Sequence, residues 1–145
     1  MVAKNALMRR ALIAVLAALL IAAAPAAAAA PSPGASGLDD RLFPLLGNGG
    51  YDTLHYDLDL RYETSDPSQS VDGTVTIFAR ATQSLSRFNL DFAGESIGSV
   101  SVNGRTATWT RDGGELVITP RRSLAKGVPF VVPGLAFRGG ADRAQ

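Results

Sequence analysis

The 145-residue sequence contains no cysteine, one histidine and one tryptophan, and both of its methionines, Met1 and Met8, lie at the amino end. The absence of cysteine excludes a disulfide framework, a thiolate metal site and a lipid anchor on an amino-terminal cysteine. Because His55 is the single histidine, one copy of the chain cannot build a metal or catalytic site that needs two imidazoles.

Excess charge of one sign is also missing beyond the first 30 residues. These residues carry 3 of the 14 basic side chains and no acids, which leaves 11 basic and 13 acidic residues in the remainder. The one basic cluster there, Arg121-Arg122 with Lys126, is typical of a solvated turn. The sequence therefore predicts neither a nucleic-acid partner nor binding to an anionic membrane.

Residues 1–30 have the pattern of a signal peptide. A positive segment with Lys4, Arg9 and Arg10 precedes an uncharged apolar run, Ala11 to Ala24, and alanines that offer A-x-A cleavage sites follow. An uncleaved anchor is the alternative, but the run is shorter than the roughly 20 residues that span a bilayer. The paired arginines also permit twin-arginine export. We expect a secreted product that leaves the membrane after cleavage.

The remaining chain is long enough for one domain. Residues 31–42 read as a disordered linker, residues 43–132 as a β-domain, and residues 133–145 as a disordered tail that begins where Pro133 ends strand pairing. The predicted fold is all-β, an antiparallel sandwich or saddle-like sheet of about seven short strands. These strands are Leu54–Tyr62, Val71–Ala81, Arg87–Phe92, Ile97–Val102, Arg105–Thr110, Glu115–Thr119 and Pro129–Val132.

Alternation of apolar and polar residues predicts which side chains are buried. In the first strand His55, Asp57, Asp59 and Arg61 take the wet face. Asn103-Gly104 is a strong signal for a type I′ hairpin. The predicted core is Leu54, Tyr56, Leu58, Leu60, Val75, Ile77, Phe88, Leu90, Val100, Val102, Trp109, Leu116 and Ile118.

The candidate site residues on the strands are better explained by structural roles than by catalysis or metal binding. His55 beside Asp57 favours a solvated cross-strand pair over a general base, because no Ser or Cys nucleophile accompanies it. Asp57, Asp59 and Asp72 could gather at one end of two strands and bind calcium, but their spacing matches no calcium loop. We therefore predict no catalytic, cofactor-binding or metal-ligating residue in this chain.

Two further groups could bind a ligand. The loop Gly47–Gly50 could cradle a phosphate, but it lacks a following Lys-Ser/Thr and a helix, which favours a tight entry turn. Four aromatic residues could stack on a carbohydrate, although all but Phe78 are expected in the core. They are Tyr56, Phe78, Trp109 and Phe130.

The segments GNGGYD, from Gly47 to Asp52, and HYDLDLRY, from His55 to Tyr62, resemble the start of the N-terminal domain of secreted zinc aminopeptidases of the aminopeptidase N type. The resemblance covers about residues 43–132 and implies that the glycine loop leads the chain onto a sheet. It also implies a role as scaffold for a catalytic domain that binds zinc and cleaves amino-terminal residues from peptides.

The residues that carry out the family's reaction are missing here. The HExxH zinc motif needs two histidines, and the GxMEN motif needs a methionine outside the leader. We expect a truncated fragment, inactive alone and without zinc of its own, that meets peptide substrate only within the full-length family architecture. An incomplete sheet would leave an open edge that promotes self-association. The alternative is a free-standing secreted β-sandwich that binds a protein or glycan.

Overall fold

The computed structural model describes residues 29–38, 40–42, 47–62, 65 and 71–139. Almost all of the predicted signal peptide therefore lies outside the described residues. The described part contains strands and no helix, so it includes no helix that could cross a membrane. The strands are β1 (Ser32–Pro33), β2 (Tyr51–Tyr62), β3 (Val71–Ala81), β4 (Leu85–Asp91), β5 (Ser96–Ile97), β6 (Ser101–Val102), β7 (Arg105–Thr106), β8 (Thr108–Asp112), β9 (Glu115–Thr119) and β10 (Pro129–Gly139).

The strands form two four-stranded sheets and one small hairpin. The first sheet has the order β2-β3-β10-β5, the second has the order β1-β4-β9-β8, and β6 pairs with β7. Every pairing is antiparallel except that of β1 with β4. The predicted all-β fold is confirmed, but the described residues form ten strands rather than about seven, and four of the ten are only two residues long.

Side chains from both sheets form one core. The largest side chains that are fully buried are Phe88, Leu85, Leu116, Ile118, Val100 and Val132. Phe88 of β4 lies against Phe130 of β10, with ring centroids 5.2 Å apart. Of the thirteen predicted core residues, eight are buried and Trp109 is partly buried against the core. Packing across the two sheets therefore gives the molecule its sandwich architecture.

The hairpin signal at Asn103-Gly104 is confirmed. Val102 lies opposite Arg105 across the turn, and the two turn residues have φ angles of 52° and 70°. Positive φ at both central positions is the requirement of a type I′ turn, which asparagine and glycine meet at low cost.

The prediction that Leu54, Tyr56, Leu58 and Leu60 are buried is wrong. Each keeps between 49% and 56% of its surface exposed. From Tyr56 onward the alternation itself is right, because Tyr56 lies opposite buried Ile77 and Leu58 lies opposite buried Val75. These side chains thus point to the core side of the first sheet. They remain half-exposed because β2 is the edge strand of that sheet and the second sheet does not cover it.

A β-bulge at Leu54 explains the start of β2. Thr53 lies opposite Ala79 and His55 lies opposite Phe78, so Leu54 is the extra residue. Because of the extra residue, odd-numbered side chains before the bulge and even-numbered side chains after it lie on the same face of the sheet. Tyr51 therefore packs against the core before the bulge, and Tyr56 takes the core side after it.

The predicted disorder of residues 31–42 is contradicted at their start. β1 pairs with β4, the Ser32 N–H donates to the Ser84 carbonyl at 2.9 Å, and the Gly34 N–H donates to the Arg87 carbonyl at 2.9 Å. The Gln83 side-chain amide donates to the Pro33 carbonyl at 3.0 Å. Proline is tolerated here because β1 lies at the edge of its sheet, where a missing N–H breaks no ladder.

The predicted disordered tail, residues 133–145, is contradicted as far as Gly139, and the last six residues lie outside the described part. Val132 pairs with Ile77 and Leu135 pairs with Val75, so one extra residue forms a bulge at Pro133-Gly134. Gly134 has a φ of +55°, and its N–H donates to Thr76 Oγ1 at 3.1 Å. The bulge accommodates the proline that the sequence prediction treated as the end of pairing.

Leu116 and Leu58 test the observed burial directly. Leu116 is fully buried, so Leu116→Ala should lower the free energy of unfolding by about 2–5 kcal/mol. Leu58 is 56% exposed, so Leu58→Ala should cost less than about 1 kcal/mol. Urea denaturation in dilute solution measures both, and similar losses would contradict the burial of β2.

Two truncations test the end of β10. Removal of residues 133–145 deletes Leu135, which is 3% exposed, and its pairing with β3. We expect the free energy of unfolding to fall by more than about 2 kcal/mol, the loss typical of one buried leucine. Removal of residues 140–145 is the control and should leave it nearly unchanged. Equal stability of the two truncated chains would show that β10 ends at Val132.

Candidate functional site

An open cleft of about 680 Å³ lies between the two sheets. Val75 and Ile77 of β3 line one side, and Leu90 and Leu116 of the second sheet line the other. The exposed β2 side chains, including Leu58, extend this apolar lining toward solvent. A cleft of this size and lining can take an apolar side chain or a short extended segment.

Polar groups line one end of the cleft, where the glycine loop meets β4. The Gly47 N–H donates to Asp91 Oδ2 at 3.2 Å, and the Tyr51 hydroxyl donates to the Asn89 carbonyl at 2.8 Å. Asn48 Oδ1 is buried and has no hydrogen-bond partner among the described residues. Asn48 also lines the cleft, but this oxygen is shielded from solvent and so offers a ligand no accessible acceptor.

Tyr51 is held as a neutral phenol. Burial raises the pKa of Tyr51 far above its ordinary value, and the negative charges of Asp91 and Glu115 add to the effect. Its ring meets Phe88 edge-on at 5.7 Å and Phe130 at 6.0 Å between centroids. Tyr51 therefore has a structural role. Its ring links the two sheets, and its hydroxyl proton is used in the bond to the Asn89 carbonyl.

Three acidic side chains form a row across the second sheet. Glu115 of β9 lies opposite Asp91 of β4 on one side and opposite Asp112 of β8 on the other. Burial raises the pKa of Glu115, and the charge and hydrogen bond of Asp91 and the charge of Asp112 raise it further. Glu115 Oε2 has no hydrogen-bond partner among the described residues. The row therefore repels itself when all three groups are ionised.

The strand residues singled out from sequence do not come together as a site. His55 lies on the exposed outer side of β2 opposite Phe78, with ring centroids 6.0 Å apart. Asp57 lies opposite Thr76 and Asp59 opposite Thr74. Within the described ranges, no three histidine or acidic side chains lie close enough together to hold a metal ion.

Asp72 has a different role from the calcium ligand considered above. It accepts two hydrogen bonds from the Arg138 guanidinium, at 2.7 Å and 2.9 Å, across β3 and β10. A bidentate pair of this kind fixes strand register. The pair is half-exposed on both sides, so its contribution to stability is small.

The glycine loop is an entry turn, as the sequence predicted. Gly47 and Gly50 have φ angles of +77° and +99°, and a Cβ on Gly50 would lie 2.7 Å from Leu85 Cδ2. β2 follows the loop directly, and the Gly47 N–H is turned to the Asp91 carboxylate. A phosphate at this point would meet that carboxylate, which argues against a phosphate cradle.

The four aromatic residues do not share one surface. Phe130 is buried against Phe88, whereas Phe78 is exposed on the outer side of the first sheet. Tyr56 lies on the core side of that sheet, and Trp109 belongs to β8 in the other sheet. A stacking platform for a carbohydrate is therefore absent among them.

Sequence reasoning missed the cleft and the acidic row. The turn Gly113-Gly114 already placed Asp112 and Glu115 across a hairpin, but the pairing of Glu115 with Asp91 joins strands that are distant in sequence. The sequence also did not reveal the hydrogen bond from Tyr51 to the Asn89 carbonyl, because Tyr51 precedes the bulge and is out of phase with the alternation that begins at Tyr56.

Glu115→Gln tests the electrostatics of the acidic row. Because the folded-state pKa of Glu115 is raised, the folded chain holds the proton more tightly, and stability falls as pH rises from about 4.5 through the raised pKa. The variant should therefore gain stability over the parent at pH 7 and lose this gain at pH 4. Thermal unfolding at both pH values measures the difference, and Asp59→Asn is the control. A gain that does not depend on pH would contradict the raised pKa.

The structure is similar to solved zinc metallopeptidases. The M1 zinc metallopeptidase from Deinococcus radiodurans is 31% identical to this chain with a TM-score of 0.62, over 72% of this chain and 23% of that chain. A mutant M1 zinc metallopeptidase from the same organism, bound to a Tyr-Ser-Ala substrate, is 30% identical with a TM-score of 0.63, over 72% and 24%. A two-domain M1 zinc metallopeptidase mutant bound to L-arginine is 31% identical with a TM-score of 0.62, over 72% and 24%.

No family model and no curated protein matches the chain. The chain spans about a quarter of the length of the solved structures it matches. What it shares with these M1 zinc metallopeptidases is therefore the all-β fold and nearly a third of the aligned residues in one part of their length.

Proposed function

We propose that this chain is the N-terminal scaffold part of a secreted zinc aminopeptidase that removes amino-terminal residues from peptides. The observation that carries the proposal is the combined likeness in fold and sequence to M1 zinc metallopeptidases over most of the chain. An identity near 30% across a matching fold goes beyond the likeness that unrelated sandwiches share.

The chemistry of the described residues fits a scaffold. Two of its polar side chains make structural bonds, Tyr51 to the Asn89 carbonyl and Asp72 to Arg138. His55 is exposed on an outer sheet face, away from the acidic row on the second sheet. Zinc and the residues that activate water would belong to a separate catalytic part, against which a rigid two-sheet domain can pack.

The sequence supports the proposed export and partners. Residues 1–30 would direct export and be removed, which would leave the domain outside the membrane. Peptide substrate would reach the domain only as part of the larger enzyme. The balanced charge of the remainder gives no reason to expect a nucleic-acid partner.

A chimera tests the proposal. Residues 29–139 would replace the matched part of the Deinococcus radiodurans metallopeptidase. We expect chelator-sensitive hydrolysis of an aminoacyl-anilide within about tenfold of the parent enzyme, because a domain misplaced by 1 Å would cost about 100-fold. The chain alone should not hydrolyse the aminoacyl-anilide, and metal analysis should find no stoichiometric zinc in it.

Ile118→Asp provides the control in the same chimera. Ile118 is fully buried, so the charge should unfold the scaffold and abolish the activity. Two results would contradict the proposal. One is tightly bound zinc with aminopeptidase activity in the chain alone. The other is a folded, zinc-loaded but inactive chimera, which would favour the free-standing binding module.

A further inference from the structure

Strand β2 is unpaired along one backbone edge and only partly covered on its apolar face. It is the end strand of its sheet, so within the described residues one of its two backbone edges pairs with no strand. Its core-side residues Tyr56, Leu58, Leu60 and Tyr62 are each about half-exposed. A long edge strand without proline or an inward-pointing charge is a template for another strand, because it presents free N–H and C=O groups.

We propose that a second copy of this chain pairs with β2 through an antiparallel, two-fold symmetric contact centred on Leu60. A two-fold contact uses the same surface on both copies, so β2 must be complementary to itself. The paired sheets would form one continuous sheet across the two molecules. This inference concerns the chain itself and does not depend on the proposed peptidase function.

Alternation limits the possible registers. Residues directly opposite in an antiparallel pair lie on the same face, so the two-fold axis must pass through a residue. A slip by one position would place apolar Leu58 beside Asp59 of the other copy. Registers centred on either Asp57 or Asp59 place that carboxylate against its own copy, which is unfavourable.

Two apolar centres fit less well than Leu60. Centring on Leu58 brings Asp57 opposite Asp59 of the other copy, twice by symmetry. Centring on Tyr56 extends the pairing through the bulge at Leu54, where the alternation changes face.

Within residues 58–62, centring on Leu60 satisfies charge and apolar contacts together. Asp59 lies opposite Arg61 of the other copy, and symmetry repeats the pair. Leu58 lies opposite Tyr62 of the other copy, and Leu60 lies opposite itself. Opposite charges and apolar residues that face each other across strands are each favourable, so residues 58–62 form a self-complementary ladder.

The absence of cysteine from the chain permits a clean crosslinking test. Leu60→Cys and Leu58→Cys form a matched pair, because the two leucines share one face and are 55% and 56% exposed. In the proposed contact the two Cys residues at position 60 have Cα atoms about 4.5–5.5 Å apart, within disulfide range. Those at position 58 lie about 14 Å apart, four residues along the strands.

We expect mild oxidation of the purified exported chain to convert Leu60→Cys into a covalent dimer more than about tenfold faster than Leu58→Cys. Sedimentation should show a reversible dimer for the unmodified chain. Asp59→Arg should weaken the dimer roughly tenfold by placing like charges opposite each other, and addition of Arg61→Asp should restore it. Circular dichroism of each variant confirms that it remains folded.

Three results would overturn the inference. The first is a chain that stays monomeric at every concentration. A monomer that instead binds a different polypeptide through β2 would also count against the inference. The second is crosslinking of Leu58→Cys as fast as Leu60→Cys, which would reject the register. The third is a double charge exchange that fails to restore the dimer.

Discussion

The packing of Tyr51 between Phe88 and Phe130 is the contact on which the arrangement of the two sheets depends. The ring centroids lie between 5.2 and 6.0 Å apart, in edge-on and tilted geometries that bury large apolar surfaces. The Tyr51 hydroxyl also donates to the Asn89 carbonyl, so its position is fixed by direction as well as by burial. The sheets meet at this cluster, and the cleft that Tyr51 also lines opens beside it.

Two bulges flank the central strand β3 and set the shape of the first sheet. Leu54 is the extra residue on one neighbour, and Pro133-Gly134 introduces the extra residue on the other. A bulge bends its own strand and increases local twist without disturbing the partner's alternation. β3 can therefore keep Val75 and Ile77 buried throughout, while both neighbours change direction around it.

Local patterns predicted the strands well and their surroundings poorly. Val71–Ala81, Glu115–Thr119 and the Asn103-Gly104 hairpin were each visible from alternation or turn chemistry, because those signals involve neighbouring residues. The burial of β2, the acidic row and the cleft depend on which strands meet across the sandwich. Alternation reports which face a side chain takes, but it cannot report whether another layer covers that face.

The exposure of β2 links the fold to association. In a sandwich whose sheets cover each other fully, side chains on the face of Tyr56 and Leu58 would be buried under the second sheet. The edge of the strand would be paired with another strand or protected by charges, proline or a bulge. Here one strand lacks cover on its face and pairing on its edge within the described residues. Both deficits favour contact with another polypeptide, the first through apolar burial and the second through backbone hydrogen bonds. Since the two gains arise in one contact, a strand added to β2 stabilises the sheet more than a ligand that touches only the apolar face.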